Sequence, residues 1–464
     1  MATQVMRNDS CPCARDELQD LFSVPDTQTA INKVTKIRKY PLTPDLNHDG
    51  PIEFYISNAT TDFIDLANMT LHVALKVTKN NGDDLDADSQ VAPINNLFHS
   101  LFKDVKLRLG KDAETLVTTS LPTYPYRAYL ENLLSFGKGA KNDHLSKQVL
   151  WEKDTAGQFN STKSVATAGD GGRQAPSNKG LEQRQKTIAA SRTFELQSRL
   201  HLDMCLQDRY LLDGVDLRLK LEKQSPKFFL MYGEGNDAED YKVEFTKAYL
   251  DIPFVTLAPS TYTRVAAQLQ SSNAKYPLKR VVVRDMVIPE NRASHVLDNL
   301  FVNESLPKRL IVGMVRNTAY DGRKNRNPFQ FEHNQLQNIK LTKNGEIVDE
   351  YDVDFPQRQA IAPYLDLMKR VAVLNTREDL DLPFNDYING YTLYCFDLTN
   401  DHGADGNYFH PKAAGNLSLE LKFGAAPTNH LSLVLFAEYD NVLEIDANRQ
   451  VITDDTGFRK TPPL

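Results

Sequence analysis

The sequence predicts an all-β chain of two eight-strand-sized units, jelly rolls or sandwiches side by side, each of about 200 residues and each carrying one inserted helix. Three observations carry this expectation. Short segments of alternating apolar and polar residues recur through both halves, separated by turn residues. Each half holds one segment with helical spacing instead of alternation. The halves also close alike: VDLRLKLEK leads to KAYLDIPFV in the first and LSLELKF leads to LSLVLFAEYDNVLEI in the second, so Tyr249 and Tyr439 fall at matching places.

Residues 1–50 are polar and irregular, with proline and glycine breaks on both sides of one strand candidate at 34–40, and read as an N-terminal arm. The first unit spans 51–258. It opens with PIEFYISN, FIDL and MTLHVALKVTK, in which Leu71, Val73, Leu75 and Val77 alternate with His72, Ala74, Lys76 and Thr78, the pattern of a strand with one buried face. NNGDDLDADSQ is a loop, and VKLRLG resumes the alternation. YPYRAYLENLLSFG then changes period. Tyr126, Tyr129, Leu130, Leu133 and Leu134 lie on one helical stripe, and Arg127, Glu131 and Asn132 lie off it. Pro125 suits the first turn, and Gly137 is placed to close the last in the left-handed conformation. An ordinary core-facing helix accounts for the pattern; a brace between the sandwich and a neighbour is the more specific reading, with the neighbour either the other unit or another subunit.

Residues 158–186 are rich in Gly, Ser, Lys and Gln, carry too little apolar surface to offset their ordering entropy, and read as a long exposed loop. FELQ, VDLRLKLEK, FFLMY and VEFTKAYLDIPFV complete the first unit, and LAPSTYT breaks the series. The second unit, 259–446, repeats the grammar with YPLKRVVVRDMVIP, KRLIVGMV, a hairpin NIKLTKNGEIV turning at Asn344-Gly345, YTLYCFDL, LSLELKF, LSLVLFAEY and VLEI. Its inserted helix is AIAPYLDLMKRVAVLN. Residues 447–464 form a C-terminal tail.

Composition excludes several functions. The chain of 464 residues is 41% hydrophobic and 25% charged, which is globular, and its formal charge of −7 is not that of a phosphate-neutralising protein. Lys33, Lys36, Arg38 and Lys39 form one local basic run with no acid between Thr27 and Tyr40. A solvated strand edge explains them more simply than a weak DNA contact. Four cysteines make no disulfide framework at this length, and no signal peptide opens the chain, so a reducing compartment, cytoplasm or nucleus, is expected. The sequons at Asn8, Asn58, Asn68, Asn160, Asn303 and Asn416 are then chance matches. No apolar run approaches the roughly 18 residues that span a bilayer.

Catalytic and metal signatures are missing. His48, His72, His99, His144, His201, His295, His333, His402, His410 and His430 are scattered, without HExxH or a cluster at ligand spacing. Cys11 and Cys13 stand alone in the arm. Asp84, Asp86 and Asp88 imitate an EF-hand opening, but Ser89 replaces the required glycine and Asn95 the required glutamate. Asp352 and Asp354 are a chance pair among 61 acids, and no GxSxG, P-loop or GxGxxG occurs. The expectation is no enzyme, no cofactor, no metal and no catalytic residues.

DLFSVPDTQTA, GPIEFYISNATTDFIDLANMTLHVALKV, PINNLFHSLFKDVKLRLG, YPYRAYLENLLSFG, DRYLLDGVDLRLKL, LPKRLIVGMV, NPFQFEH, NGYTLYCFDLT and LFAEYDNVLEID, in this order, closely resemble the double jelly-roll major capsid protein of Polinton/Maverick elements and adintoviruses. The resemblance runs from Leu21 to Asp446. It implies a hexon: two upright jelly rolls per chain, three chains in a pseudo-hexagonal capsomer of an icosahedral virion shell, and neighbouring capsomers, penton and minor capsid proteins as partners. It also implies that loop 158–186 lies on the outer face and that the arms, among them LFSVPDTQTA, order only on assembly. A carbohydrate-binding β-sandwich and a domesticated cellular homologue without a virion are the alternatives. The single Trp151 offers no aromatic sugar platform.

Overall fold

The computed structural model describes residues 24, 27–86, 89–119, 121–161, 177–232, 240–301, 305–406 and 408–453. Alternation has become strands where it was expected, and the pairing makes the duplication explicit. The first unit contains β1 (Ile31–Lys39), β2 (Ile52–Ile56), β3 (Thr70–Lys79), β4 (Phe102–Gly110), β5 (Thr115–Leu116), β6 (Phe194–Ser198), β7 (Asp216–Lys223) and β8 (Tyr241–Leu257). The second contains β9 (Ala274–Ile288), β10 (Ser294–Leu297), β11 (Arg309–Arg316), β12 (Leu336–Lys343), β13 (Glu346–Asp352), β14 (Leu393–Asp397), β15 (Leu417–Phe423) and β16 (Leu431–Ile445). The sheets run β1-β8-β3-β6 and β2-β7-β4-β5 in the first unit, and β9-β16-β11-β14 and β10-β15-β12-β13 in the second. Each of these eight strands of the first unit thus has its counterpart eight labels later, whereas the short strands Phe63–Ile64, Val91–Pro93 and Leu230–Tyr232 stand outside the repeat. All these pairings are antiparallel and stay within one unit among the described residues. This is the jelly-roll order, present twice.

Tyr249 and Tyr439 sit on β8 and β16, the long strands that lie second from the edge of corresponding sheets. LSLVLFAEY and VLEI are one continuous strand rather than two. The hairpin between β12 and β13 turns through Asn344 and Gly345 at φ 53° and 86°, the two-residue turn whose twist matches the strands it joins. β5 and β10 escaped sequence reading because two and four residues are too few to show a period. The strand candidate at 34–40 is β1, paired along its length with β8, so residues 31–39 belong to the sheet of the first unit.

Four longer helices interrupt the strands: α1 (Tyr124–Ser135), α2 (Lys179–Ile188), α3 (Pro259–Leu269) and α4 (Ile361–Arg370). α1 and α4 occupy corresponding places, between the fifth and sixth strands of their units. α3 starts within LAPSTYT, where the sequence predicts only a break between the units, and joins them. α2 corrects the expectation of an exposed loop over 158–186; the part at 162–176 lies outside the described residues. From 177 onward the chain is docked, with Leu181, Arg184 and Ile188 buried along one side of α2. Composition missed it because the largest buried group there is a cation. The Asn178 side chain accepts from Leu181 N and caps the helix. Gly180 permits the approach, since a Cβ there would stand 2.3 Å from the Lys153 carbonyl oxygen.

Gly137 also differs from expectation. Its backbone is extended, at φ −81° and ψ 176°, not left-handed. Its lack of a side chain serves contact instead: a Cβ would meet Asp379 Oδ1 at 2.7 Å, so the end of α1 closes directly on the second unit.

Candidate functional site: the seam between the units

The most elaborate side-chain chemistry lies where α1 and α2 meet the second unit. The α1 stripe is buried throughout, with Tyr129 and Leu130 almost wholly inaccessible. Tyr126 stacks on Tyr320 with ring centroids 5.2 Å apart, and Tyr129 lies flat on Phe329 at 4.0 Å and 8°. Thr123 Oγ1 donates to the carbonyl of Val283 on β9 at 2.9 Å. Tyr320, Phe329 and Val283 all belong to the second unit. Of the two neighbours considered for the helix, the structure therefore puts the other unit of the same chain against it.

The side chains off the stripe are not solvated either. Arg127 and Asn132 are buried, and the buried charge is answered by partners. Arg127 Nη2 donates to Asp203 Oδ1 at 2.7 Å and its Nε to Glu131 Oε1 at 3.0 Å, while His201 Nδ1 meets the other Glu131 oxygen. Burial alone would raise the Glu131 carboxyl, but Arg127 and His201 outweigh it and hold the group at about 2. His99, completely buried beside His201, is pushed well below its ordinary value, first by desolvation and then by that neighbour.

A second cluster ties α2 into the seam. Arg184 Nη2 and Asp154 Oδ1 are 2.5 Å apart with both side chains fully buried. Arg184 Nε donates to the Pro93 carbonyl at 2.7 Å, and Asn178 Nδ2 to Asp154 Oδ1 at 2.7 Å. From the second unit, Asn327 Nδ2 reaches Asp154 Oδ2 at 3.1 Å and the Tyr391 hydroxyl donates to the Asp154 carbonyl at 2.8 Å. Every oxygen of Asp154 is thereby bonded, and the network can hold the two units in one register.

Lys141 is the third device. Its Nζ donates to the carbonyls of Leu133 and Leu380, both at 2.7 Å, which joins the end of α1 to the second unit. Burial lowers its ammonium to about 7. Between there and the ordinary lysine value the unfolded chain binds the proton and the folded one does not, so stability rises with pH through that window and the full desolvation cost is felt below it. The wild-type melting temperature is expected to climb by a few degrees from pH 7 to 9 relative to Lys141→Met. Parallel pH curves for the two proteins would contradict the assignment.

The residues singled out from sequence fall elsewhere. Lys33, Lys36, Arg38 and Lys39 lie on β1, at a sheet edge. Lys36 Nζ and Arg38 Nε stand 3.0 and 2.9 Å from Asp251, and Arg38 covers the Tyr249 ring. Asp84 and Asp86 sit in the exposed loop after β3, and Asp88 lies outside the described residues. Cys11 and Cys13 are also outside them. Cys205 and Cys395 are buried free thiols pushed up to about 12 by desolvation. Trp151 is buried and stacks on Tyr129. Among the described residues no group of three or more His, Cys, Asp or Glu could hold a metal ion, and no helix is long and apolar enough to cross a membrane. Sequence reading found α1 but not Asp154, Arg184 or Lys141. The one available signal was Asn178 placed as a cap ahead of Leu181, Arg184 and Ile188.

Known structures share the fold over most of the chain. A chain of the Sputnik virophage superposes with a TM-score of 0.63 over 97% of this chain and 94% of its own, at 12% identity. The chain has the double jelly-roll fold of viral capsid proteins. A chain of the PBCV-1 virus capsid matches with a TM-score of 0.54 over 93% of this chain and 99% of its own, at 12% identity. The Faustovirus major capsid protein matches with 0.54 over 96% of each chain, at 10% identity. In sequence, an uncharacterized protein of Caenorhabditis elegans is 25% identical over 447 residues, 93% of this chain and 99% of that protein. No protein-family model matches the chain.

Proposed function

We propose that the protein is a non-enzymatic major capsid protein whose chains associate as homotrimers, present six jelly rolls as a pseudo-hexagonal capsomer, and tile an icosahedral virion shell. The carrying observation is the duplication itself: two units of the same strand order, each with a helix at the same insertion, fastened by a buried seam instead of a flexible linker. A rigid pair related in this way is the repeating element from which a six-fold ring of units can be made with three chains. The collinear blocks described above connect it to Polinton/Maverick and adintovirus capsid proteins. Neighbouring capsomers, penton and minor capsid proteins are the partners this role requires.

The engagement of Lys36 and Arg38 by Asp251 favours a structural role for the basic strand over packaged DNA. A nematode relative matching over its full length supports a second reading, a copy resident in an animal genome, in which the fold is kept without a virion. Light scattering with negative-stain microscopy on the purified chain separates the outcomes. Particles of three subunits with hexagonal outline are expected, and a stable monomer at micromolar concentration would refute the capsomer.

A further inference from the structure

β16 has a gap along one edge. Its other edge is paired over the whole strand with β9, from Ile445 opposite Ala274 to Leu431 opposite Ile288. On the gapped edge β11 pairs with residues 431–438, and the short strand Val451–Thr453 pairs with 443–445, with Thr453 opposite Leu443. Among the described residues no strand pairs with 439–442 between them. Val442 N donates instead to the side-chain oxygen of its own neighbour Asn441, at 2.8 Å. Beside the gap lies a cavity of about 290 Å³, whose lining includes Leu306, Leu398, Tyr408, Phe409, Tyr439 and Asp440. The acids there are held within the chain, Asp440 by Lys308 at 2.6 Å and Asp401 by the Tyr408 hydroxyl at 2.7 Å. Apolar surface is what the cavity offers an occupant: Leu306 and Leu398 are buried, and the Tyr408 and Phe409 rings are 54% and 49% exposed. Direction says which occupant. Val451–Thr453 runs antiparallel to β16, so the chain passes Thr453 heading for Asn441 and Asp440, into the gap and toward the cavity.

We propose that residues 454–464 of the same chain, DDTGFRKTPPL, close the gap and seat Phe458 in this cavity. Continued in the register of Val451–Thr453, Asp454, Asp455 and Thr456 fall opposite Val442, Asn441 and Asp440. The free edge then ends, because Lys308 N already donates to the Glu438 carbonyl. Gly457 is thus the residue at which the chain must turn off the sheet, and Phe458 is the next. Reach is ample, since five extended residues beyond Thr453 cover about 17 Å and Asp440 is only three strand positions from Leu443. Pro462 and Pro463 follow, and proline-rich chain packs well on exposed rings such as Tyr408 and Phe409. The closure adds backbone hydrogen bonds to an open sheet edge and takes apolar surface from water. Nothing in this placement depends on the capsomer reading.

The test uses the full chain as wild type, Phe458→Ala and Phe409→Ala, with urea unfolding to confirm an intact fold and amide exchange followed by mass spectrometry. Amides at 454–457 are expected to exchange slowly in wild type and at least about tenfold faster in each variant, the scale on which burial of one phenyl ring counts, with urea midpoints unchanged. Wild-type exchange there at the rate of an unstructured peptide overturns the proposal. So does protection that either substitution leaves as it was. A photo-reactive benzoylphenylalanine at position 458, in a mixture of isotopically heavy and light chains, reads the same contact without relying on either variant. Adducts within one chain to 306–308 or 408–413 are expected. Adducts that join heavy to light chains would assign the cavity to the segment of a second copy, and adducts elsewhere would remove Phe458 from it; both outcomes overturn the placement.

Discussion

Arg184→Ala is expected to destabilise the folded chain by about 3–5 kcal/mol, the cost of stranding one partner of a buried ion pair. The size follows from what remains. Asp154 would stay fully buried with its carboxylate answered only by the neutral amides of Asn178 and Asn327, and the carbonyls of Pro93 and Glu152 would each lose the guanidinium donor they now have. Solvent cannot enter freely, because Gly180 brings α2 against the chain at 152–153 with no room for a Cβ. Because Asn327 and Tyr391 come from the second unit, the loss should appear as a looser seam as well as a lower midpoint in urea. A second substitution isolates the cause: Asp154→Leu added to Arg184→Leu removes both charges and should recover a large part of the loss. A single Arg184→Ala variant within ~1 kcal/mol of wild type would show that the pair is dispensable.

Leu130→Ala and Leu133→Ala should each cost about 2–5 kcal/mol, since both side chains are buried and their removal leaves a cavity in a helix held on several sides. The structure adds a consequence that spacing alone could not. α1 lies between the units, so the double variant should uncouple them, splitting the calorimetric transition into two. Its β-sheet signal and any self-association should fall together, because the brace acts within the chain. A double variant that melts in one transition, with a change below ~0.5 kcal/mol, would mean that the stripe is not a structural contact.

Much of this was legible in the residues. Period-two alternation placed β7, β12 and β15, because a strand covered on one side must keep its apolar side chains on alternate positions. β3 and β16 are strands as well, but the expectation of one buried face fails there, since His72, Ala74 and Thr78 on β3 and residues 431–439 on β16 are buried on both faces. The switch to helical spacing at Tyr126–Leu134 placed α1, and Asn344-Gly345 placed a hairpin through the positive φ that both positions need. The site was less legible. Its determinants are polar groups buried as pairs, and a lone Arg184 or Asp154 in a Gly- and Gln-rich stretch has the composition of a solvated loop until its partner, tens of residues away, is known.

By itself the sequence determined local period, turn chemistry and the repetition of a strand grammar, all of which depend on residues within one turn or one strand of each other. Tertiary structure decided the remainder. Only packing shows that α1 faces Phe329 and Tyr320 instead of solvent, that Gly137 is small because Asp379 closes on it, and that α4 keeps an apolar face where α1 has none left. Desolvation makes this division necessary: whether a tyrosine stripe or a buried cation stabilises the chain depends on what excludes water from it, and that is supplied by residues far away in sequence.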